Sequence, residues 1–154
     1  MIISTKAIVL RKIKYSDSSL IVDTFTESEG RKSFFIKGIL GKTKGKIKNS
    51  HFQPLSQILI KYNKREKKKI NFLIECKINR HCQNLYLDYR KSSIILFLNE
   101  ILNMCLFEET GNKELFFFLE TSLKWLDESD KISNFHIKFI LNLLKYLGIN
   151  PRLK

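Results

Sequence analysis

From Lys6 to about Lys77 apolar and polar residues alternate with a period of two, and after Arg80 the apolar positions recur every three to four residues. The first pattern predicts five strands, at about 6–13, 19–26, 31–37, 55–62 and 70–78, rich in β-branched and aromatic residues and bounded by turn formers. Glu29-Gly30 supplies a tight turn between the second and third, and Asn63 to Lys69 closes the fourth onto the fifth. The fifth alternates most cleanly, with Ile70, Phe72, Ile74 and Cys76 on one face and Asn71, Leu73, Glu75 and Lys77 on the other. The second pattern predicts three helices. In the first, capped by Ser92 or Ser93, Ile94, Ile95, Leu98, Ile101, Leu102 and Cys105 face inward, and it ends before Gly111-Asn112. The second runs from about Lys113 to Leu126 with Leu115, Phe118, Leu119, Ser122 and Leu123 on one face. Its run Leu115-Phe116-Phe117-Phe118-Leu119 is apolar all round, so burial from more than one side is expected. The third, capped near Ser133, buries Phe135, Phe139, Ile140, Leu143, Leu144 and Leu147 and stops at Gly148 with Pro151 beyond.

Strands followed by helices make the fold class α+β, with a β-barrel over residues 1–80 and a helical domain over residues 81–154. Five short strands with a long excursion between the third and fourth is the layout of an OB-fold, and an SH3-like barrel counts similarly. At 154 residues, 44% apolar and 12% aromatic, the chain holds enough core to exclude a disordered protein.

Charge divides the two halves. Residues 1–80 hold 19 Lys and Arg against 6 Asp and Glu, whereas residues 81–154 hold 9 against 9, so the net charge of +13 belongs to the first half. Drift toward lysine in an A·T-rich genome loads both halves alike, so the asymmetry marks a lobe for an acidic partner. Nucleic acid leads, ahead of an anionic membrane surface. The centre of the charge is the glycine-broken stretch KGILGKTKGKIK, with Lys37, Lys42, Lys44, Lys46 and Lys48, and no acid among them. Such a loop suits a backbone laid along phosphates, or serves only as a solvated charge run. It is not a nucleotide-binding P-loop: Gly38 and Gly41 are separated by two residues where that motif needs four, and Ile36 stands where its first glycine belongs. Two further clusters join it, Arg11, Lys12 and Lys14 near the first loop, and Lys61, Lys64, Arg65, Lys67, Lys68 and Lys69 around the fourth, so that three cationic groups border one groove. On the third strand Phe34 and Ile36 enter the core, while Arg31, Ser33, Phe35 and Lys37 share the other face. There Phe35 is either a base-stacking platform with a cation at each end or a packing residue.

Ala7-Ile8-Val9-Leu10, Tyr15-Ser16-Asp17-Ser18-Ser19-Leu20-Ile21-Val22, Phe25-Thr26 with Gly30-Arg31, Ile36-Lys37-Gly38 and Phe52-Gln53-Pro54-Leu55 follow one another in an order and spacing that resemble the N-terminal domain of the RecO family. That resemblance implies an OB-fold DNA-binding domain of a bacterial recombination mediator acting in DNA repair. It implies binding to single- and double-stranded DNA, strand annealing, and cooperation with RecR to load RecA, without catalysis or a cofactor, in the cytoplasm at the nucleoid. Only Arg31, Lys37 and the basic loop match family features linked to DNA. The helices resemble the family's second domain, but family chains continue well past Leu147-Gly148-Ile149-Asn150-Pro151, in many members with a cysteine cluster for zinc. The expectation is a helical domain incomplete relative to the family, with no zinc site and with the contact to single-strand-binding protein left unassigned. Exposed apolar surface, and with it self-association or dependence on a partner, follows. An RNA-binding OB module, for instance ribosome-associated, is the alternative, since the barrel and its lysines alone suit either nucleic acid.

Other chemistry finds little support. Cys76, Cys82 and Cys105 are odd in number without a CxxC pair, which argues for reduced thiols rather than disulfides or zinc. His51, His81 and His136 are scattered. Glu27 with Glu29, Glu108 with Glu109, and Asp127-Glu128 with Asp130 fall at expected turns and helix ends, where solvated caps explain them better than acid–base catalysis. Ala7 to Leu10 is too short for a signal-peptide core, and Ser92 to Phe107 is broken by Asn99, Glu100 and Asn103, so no membrane span is expected.

Overall fold

The structure, a computed structural model, describes residues 1–39, 47–107 and 110–148. Five strands, β1 (Ile2–Lys14), β2 (Leu20–Thr26), β3 (Gly30–Ile36), β4 (Gln57–Asn63) and β5 (Ile70–Arg80), close into a barrel of order β1-β2-β3-β5-β4. A single 3-10 turn, Asn49–Phe52, precedes β4. Closure depends on the length of β1, which pairs with β4 over Ile2–Ile8 and with β2 over Ala7–Lys14, and on a short parallel contact between β3 and β5. This is the OB-fold arrangement, and four helices follow it: α1 (Gln83–Leu87), α2 (Tyr89–Cys105), α3 (Lys113–Glu128) and α4 (Phe135–Tyr146).

The run Ala7-Ile8-Val9-Leu10 is buried throughout because its two faces serve two cores. Ala7 and Val9 point into the barrel with Val22, Phe34, Ile36, Phe52, Ile58, Ile60 and Tyr62. Ile8 and Leu10 point outward, joining Phe25 and Leu55 under helical residues that include Leu98, Leu102, Phe116 and Leu119. A bulge at Leu10, between the register pairs Val9–Thr24 and Arg11–Asp23, leaves Leu10 and Arg11 successive on the outer side.

Hydrogen bonds fix the seam between barrel and helices. Asp23, nearly buried, accepts from Ser33 Oγ (2.6 Å), Arg11 (3.0 and 3.2 Å) and Arg31 (3.4 Å). The Arg31 guanidinium continues to the main-chain carbonyls of Leu106 (2.9 Å) and Asn103 (3.4 Å) at the end of α2, and to the Asn103 side-chain Oδ1 (3.1 Å). Asn103 Nδ2 in turn donates to Leu10 O at 2.8 Å. Gly111 closes the seam on its other side, where a Cβ would stand 2.4 Å from Ser28 O in the β2–β3 turn.

Three local expectations change. The alternation of β5 is not continuous: Tyr62 pairs with Leu73 and Lys61 with Glu75, so Ile74 is bulged out. Asn71 and Leu73 therefore face inward before the bulge and Cys76 and Ile78 after it, while Ile70, Phe72 and Ile74 stay exposed. Helix α2 starts at Tyr89, capped by Asp88, whose side chain accepts the Arg90 N–H at 2.9 Å, and Ser92 and Ser93 lie inside it with hydroxyls bonded to Tyr89 O. In α3 it is Phe116 that is fully buried, stacked at 6.2 Å on Phe25 of the barrel, while Phe118 stacks on Phe139 and Tyr146 of α4. Burial from two sides holds, and Phe117 between them is exposed. The residue before α4 is Asn134, next to Ser133 as expected.

Candidate nucleic-acid interface

The pairing of β1, β2, β3 and β5 sets Ile13 opposite Ile21, Ile21 opposite Phe35, and Phe35 opposite Phe72. Side chains directly opposite on neighbouring strands share a face, so these four form one apolar row across the outside of the barrel. Ile13 and Phe72 are exposed and Ile21 and Phe35 half-buried. Tyr15, one step beyond β1 and 65% exposed, sets its ring edge-to-face with Phe35 at 5.3 Å, and Phe72 does the same from the other side at 5.5 Å. Phe35 is thus the middle of a three-ring strip rather than a lone platform or a core residue.

Cations border the strip unevenly. Lys37 follows β3 directly and is exposed; Arg65 lies over the Phe72 ring with its guanidinium 5.7 Å from the centroid. Lys67, Lys68 and Lys69 line a cleft of about 630 Å³ with Arg31, Lys32, Ser33, Glu66, Ile70 and Phe107. None of Lys37, Arg65, Lys67, Lys68 and Lys69 has a carboxylate partner among the described residues.

The remaining candidates lie elsewhere or are engaged. Lys12 and Lys14 share the register of Val22 and Leu20, the inward face, so they sit at the barrel's end, where Lys12 Nζ donates to Asn49 Oδ1 at 3.1 Å beside exposed Lys48. Arg11 and Arg31 hold Asp23; Lys61 pairs with Glu75 at 3.6 Å and Lys64 with Glu29 at 2.9 Å. Lys12 and Lys14 therefore do not join Lys67, Lys68 and Lys69 along that cleft. Lys42, Lys44 and Lys46 lie outside the described residues, as does the Glu108-Glu109 pair. Sequence reading missed Tyr15 and Phe72, the outer two rings of the strip.

Glu29 is not a solvated turn carboxylate. It accepts from the Tyr62 hydroxyl and pairs with Lys64 and, at 3.4 Å, with Lys32. Burial alone raises its pKa, but these three donors outweigh it and hold the carboxyl below the usual range. The Tyr62 phenol is pushed up by its own burial and by Glu29. Burial likewise pushes the Cys76 thiol up to about 12 and, with Asp127 adding to it, the Cys82 thiol up to about 11, so neither is a nucleophile at neutral pH. Among the described residues no group of three or more His, Cys, Asp or Glu is placed to hold a metal ion, and no helix is long and apolar enough to cross a membrane.

Two family models match nearly the whole chain: Recombination protein O N terminal over residues 1–81 and Recombination protein O C terminal over residues 86–154. The chain belongs to the RecO family. It is 42% identical to the DNA repair protein RecO of Christiangramia forsetii across 99% of this chain and 64% of that protein. It is 42% identical to that of Flavobacterium johnsoniae across 98% and 64%, and 38% identical to that of Bacteroides fragilis across 99% and 63%. The chain thus spans just under two thirds of the length of these RecO relatives. On this RecO barrel the aromatic strip lies across β1, β2, β3 and β5, the face on which OB-folds take oligonucleotides.

Proposed function

We propose that this chain binds DNA through the outer face of its barrel and serves recombinational repair as a non-enzymatic mediator. The observation that carries this reading is the strip Tyr15–Phe35–Phe72, edged by cations without carboxylate partners among the described residues, on a RecO-family barrel. Every base has a π-face, so aromatic rings take a single strand irrespective of sequence, while lysines neutralise its phosphates. Duplex DNA meets the lysines alone. Holding unpaired bases while screening the backbone lowers the repulsion between two complementary strands, which is what annealing requires. Membership of the RecO family favours DNA over RNA and supports RecR and the loading of RecA as the setting, in the bacterial cytoplasm at the nucleoid.

The test is the affinity of fluorescent single-stranded DNA, and of its RNA counterpart, over a salt series for the parent chain and K67A/K68A/K69A. If these lysines meet phosphates, the slope of log affinity against log salt falls in magnitude by up to ~2, about 0.7 per lost contact. An unchanged slope removes the lysine cleft from the interface. A preference for the RNA oligomer turns the reading toward an RNA-binding module.

A further inference from the structure

The β4–β5 loop is anchored where it matters to the strip. Asn71, 1% exposed, accepts the Arg65 backbone N–H through Oδ1 at 3.0 Å, and Arg65 O accepts the Lys68 N–H at 3.1 Å. Both bonds hold Arg65 beside Phe72, the residue after Asn71, with its guanidinium 5.7 Å from the ring centroid. Phe72 is 48% exposed and meets Phe35 edge-to-face at an interplanar angle of 85°, so its ring is not stacked against the strip and Arg65 is what covers it. Guanidinium is planar and stacks on π-faces, which an ammonium cannot do.

We propose that Arg65 and Phe72 form a clamp for one unpaired base of a single-stranded nucleic acid, the base entering between guanidinium and ring. This rests on the DNA-binding reading of the same face and sharpens it. A base inside a duplex already has neighbours on both faces and offers none to the clamp. The clamp therefore adds to the strip's selectivity for single strands, whereas Lys67, Lys68 and Lys69 act on phosphates of either form. The charge around the strip favours nucleic acid over a protein partner as the occupant.

The experiment compares the parent chain with R65A, R65K and F72L on a single-stranded oligomer, on the same length with abasic sites, and on duplex. Arg65 is an exposed loop residue, so melting temperatures of its variants stay at the parent value. R65K retains the charge and loses the stack, so it and F72L lose about fivefold on the single strand, the lower end of the effect of removing one stacking partner. R65K matches the parent in salt slope, on duplex and on the abasic oligomer. R65K as tight as the parent on the intact single strand overturns the clamp, and the K67A/K68A/K69A series then still decides the broader reading. A parent chain without salt-dependent affinity for single strands overturns both, and leaves the strip to a protein partner.

Discussion

Arg31 reads in sequence as a DNA-contacting cation, and its surroundings make it a strut. Its side chain is 19% exposed and its guanidinium donates to Leu106 O, Asn103 Oδ1 and Asp23 Oδ2 at 2.9, 3.1 and 3.4 Å. Arg31→Ala removes these bonds together. Hydrogen bonds to charged groups contribute about 1.5–3 kcal/mol each when well made. Two considerations reduce the sum: Asp23 keeps Arg11 and Ser33, so no carboxylate is stranded, and water reaches a partly exposed site. The net loss is about 2–3 kcal/mol, and with ~3 °C per kcal/mol for a chain of this size the melting temperature falls by about 6–9 °C. The assay pairs thermal unfolding with the salt dependence of DNA binding, measured well below the melting range. The salt slope stays at the parent value. A variant that melts with the parent but loses about 0.7 from the slope refutes the reasoning and returns Arg31 to the phosphate backbone.

Gly111→Ala drives a methyl into Ser28 O, a backbone atom that cannot swing aside, and costs about 1–3 kcal/mol, read as a lower urea midpoint at unchanged m-value. Asp88→Ala removes the N-cap of α2 and lowers the urea midpoint, while Ser92→Ala keeps it near the parent value. Glu29 has a folded pKa held below the ordinary carboxylate value of 4.5 by its Tyr62, Lys64 and Lys32 donors, against the raising effect of burial. The folded chain therefore binds fewer protons there than the unfolded one. The stabilisation is present above about pH 4.5 and is lost as pH falls through the depressed folded value. Glu29→Gln should flatten the acid limb of a stability–pH curve in that window and leave the neutral-to-basic side parallel to the parent.

The barrel was legible because its strands keep period two between strong turn formers, and the helices because their apolar residues recur at helical spacing. What escaped sequence reading depended on neighbours distant in the chain. Alternation continues through Leu73-Ile74-Glu75 whether or not Ile74 bulges, and the inward-facing Asn71 finds the Arg65 N–H for its Oδ1 only once the β4–β5 loop has closed. Asp88 was overlooked beside Ser92 and Ser93, although all three are capping types. The candidate site was legible in kind rather than in membership. Phe35 and the lysines of the β4–β5 loop stand where the face was expected, but Phe72 joins Phe35 only through the parallel β3–β5 pairing, which no local pattern encodes. Arg11 and Arg31 differ from the exposed lysines in having Asp23 within reach, and Arg31 also in meeting the end of α2.

Photo-cross-linking of a 5-iodouracil-substituted single-stranded oligomer, followed by sequencing of the adducted peptide, tests the central claim most directly. The account predicts adducts on Tyr15, Phe35 or Phe72, lost when free unsubstituted single strand competes. Adducts confined to the aromatic stacks of the helices, Trp125–Phe135 or Phe118–Tyr146, would contradict it and move the DNA-binding surface off the barrel.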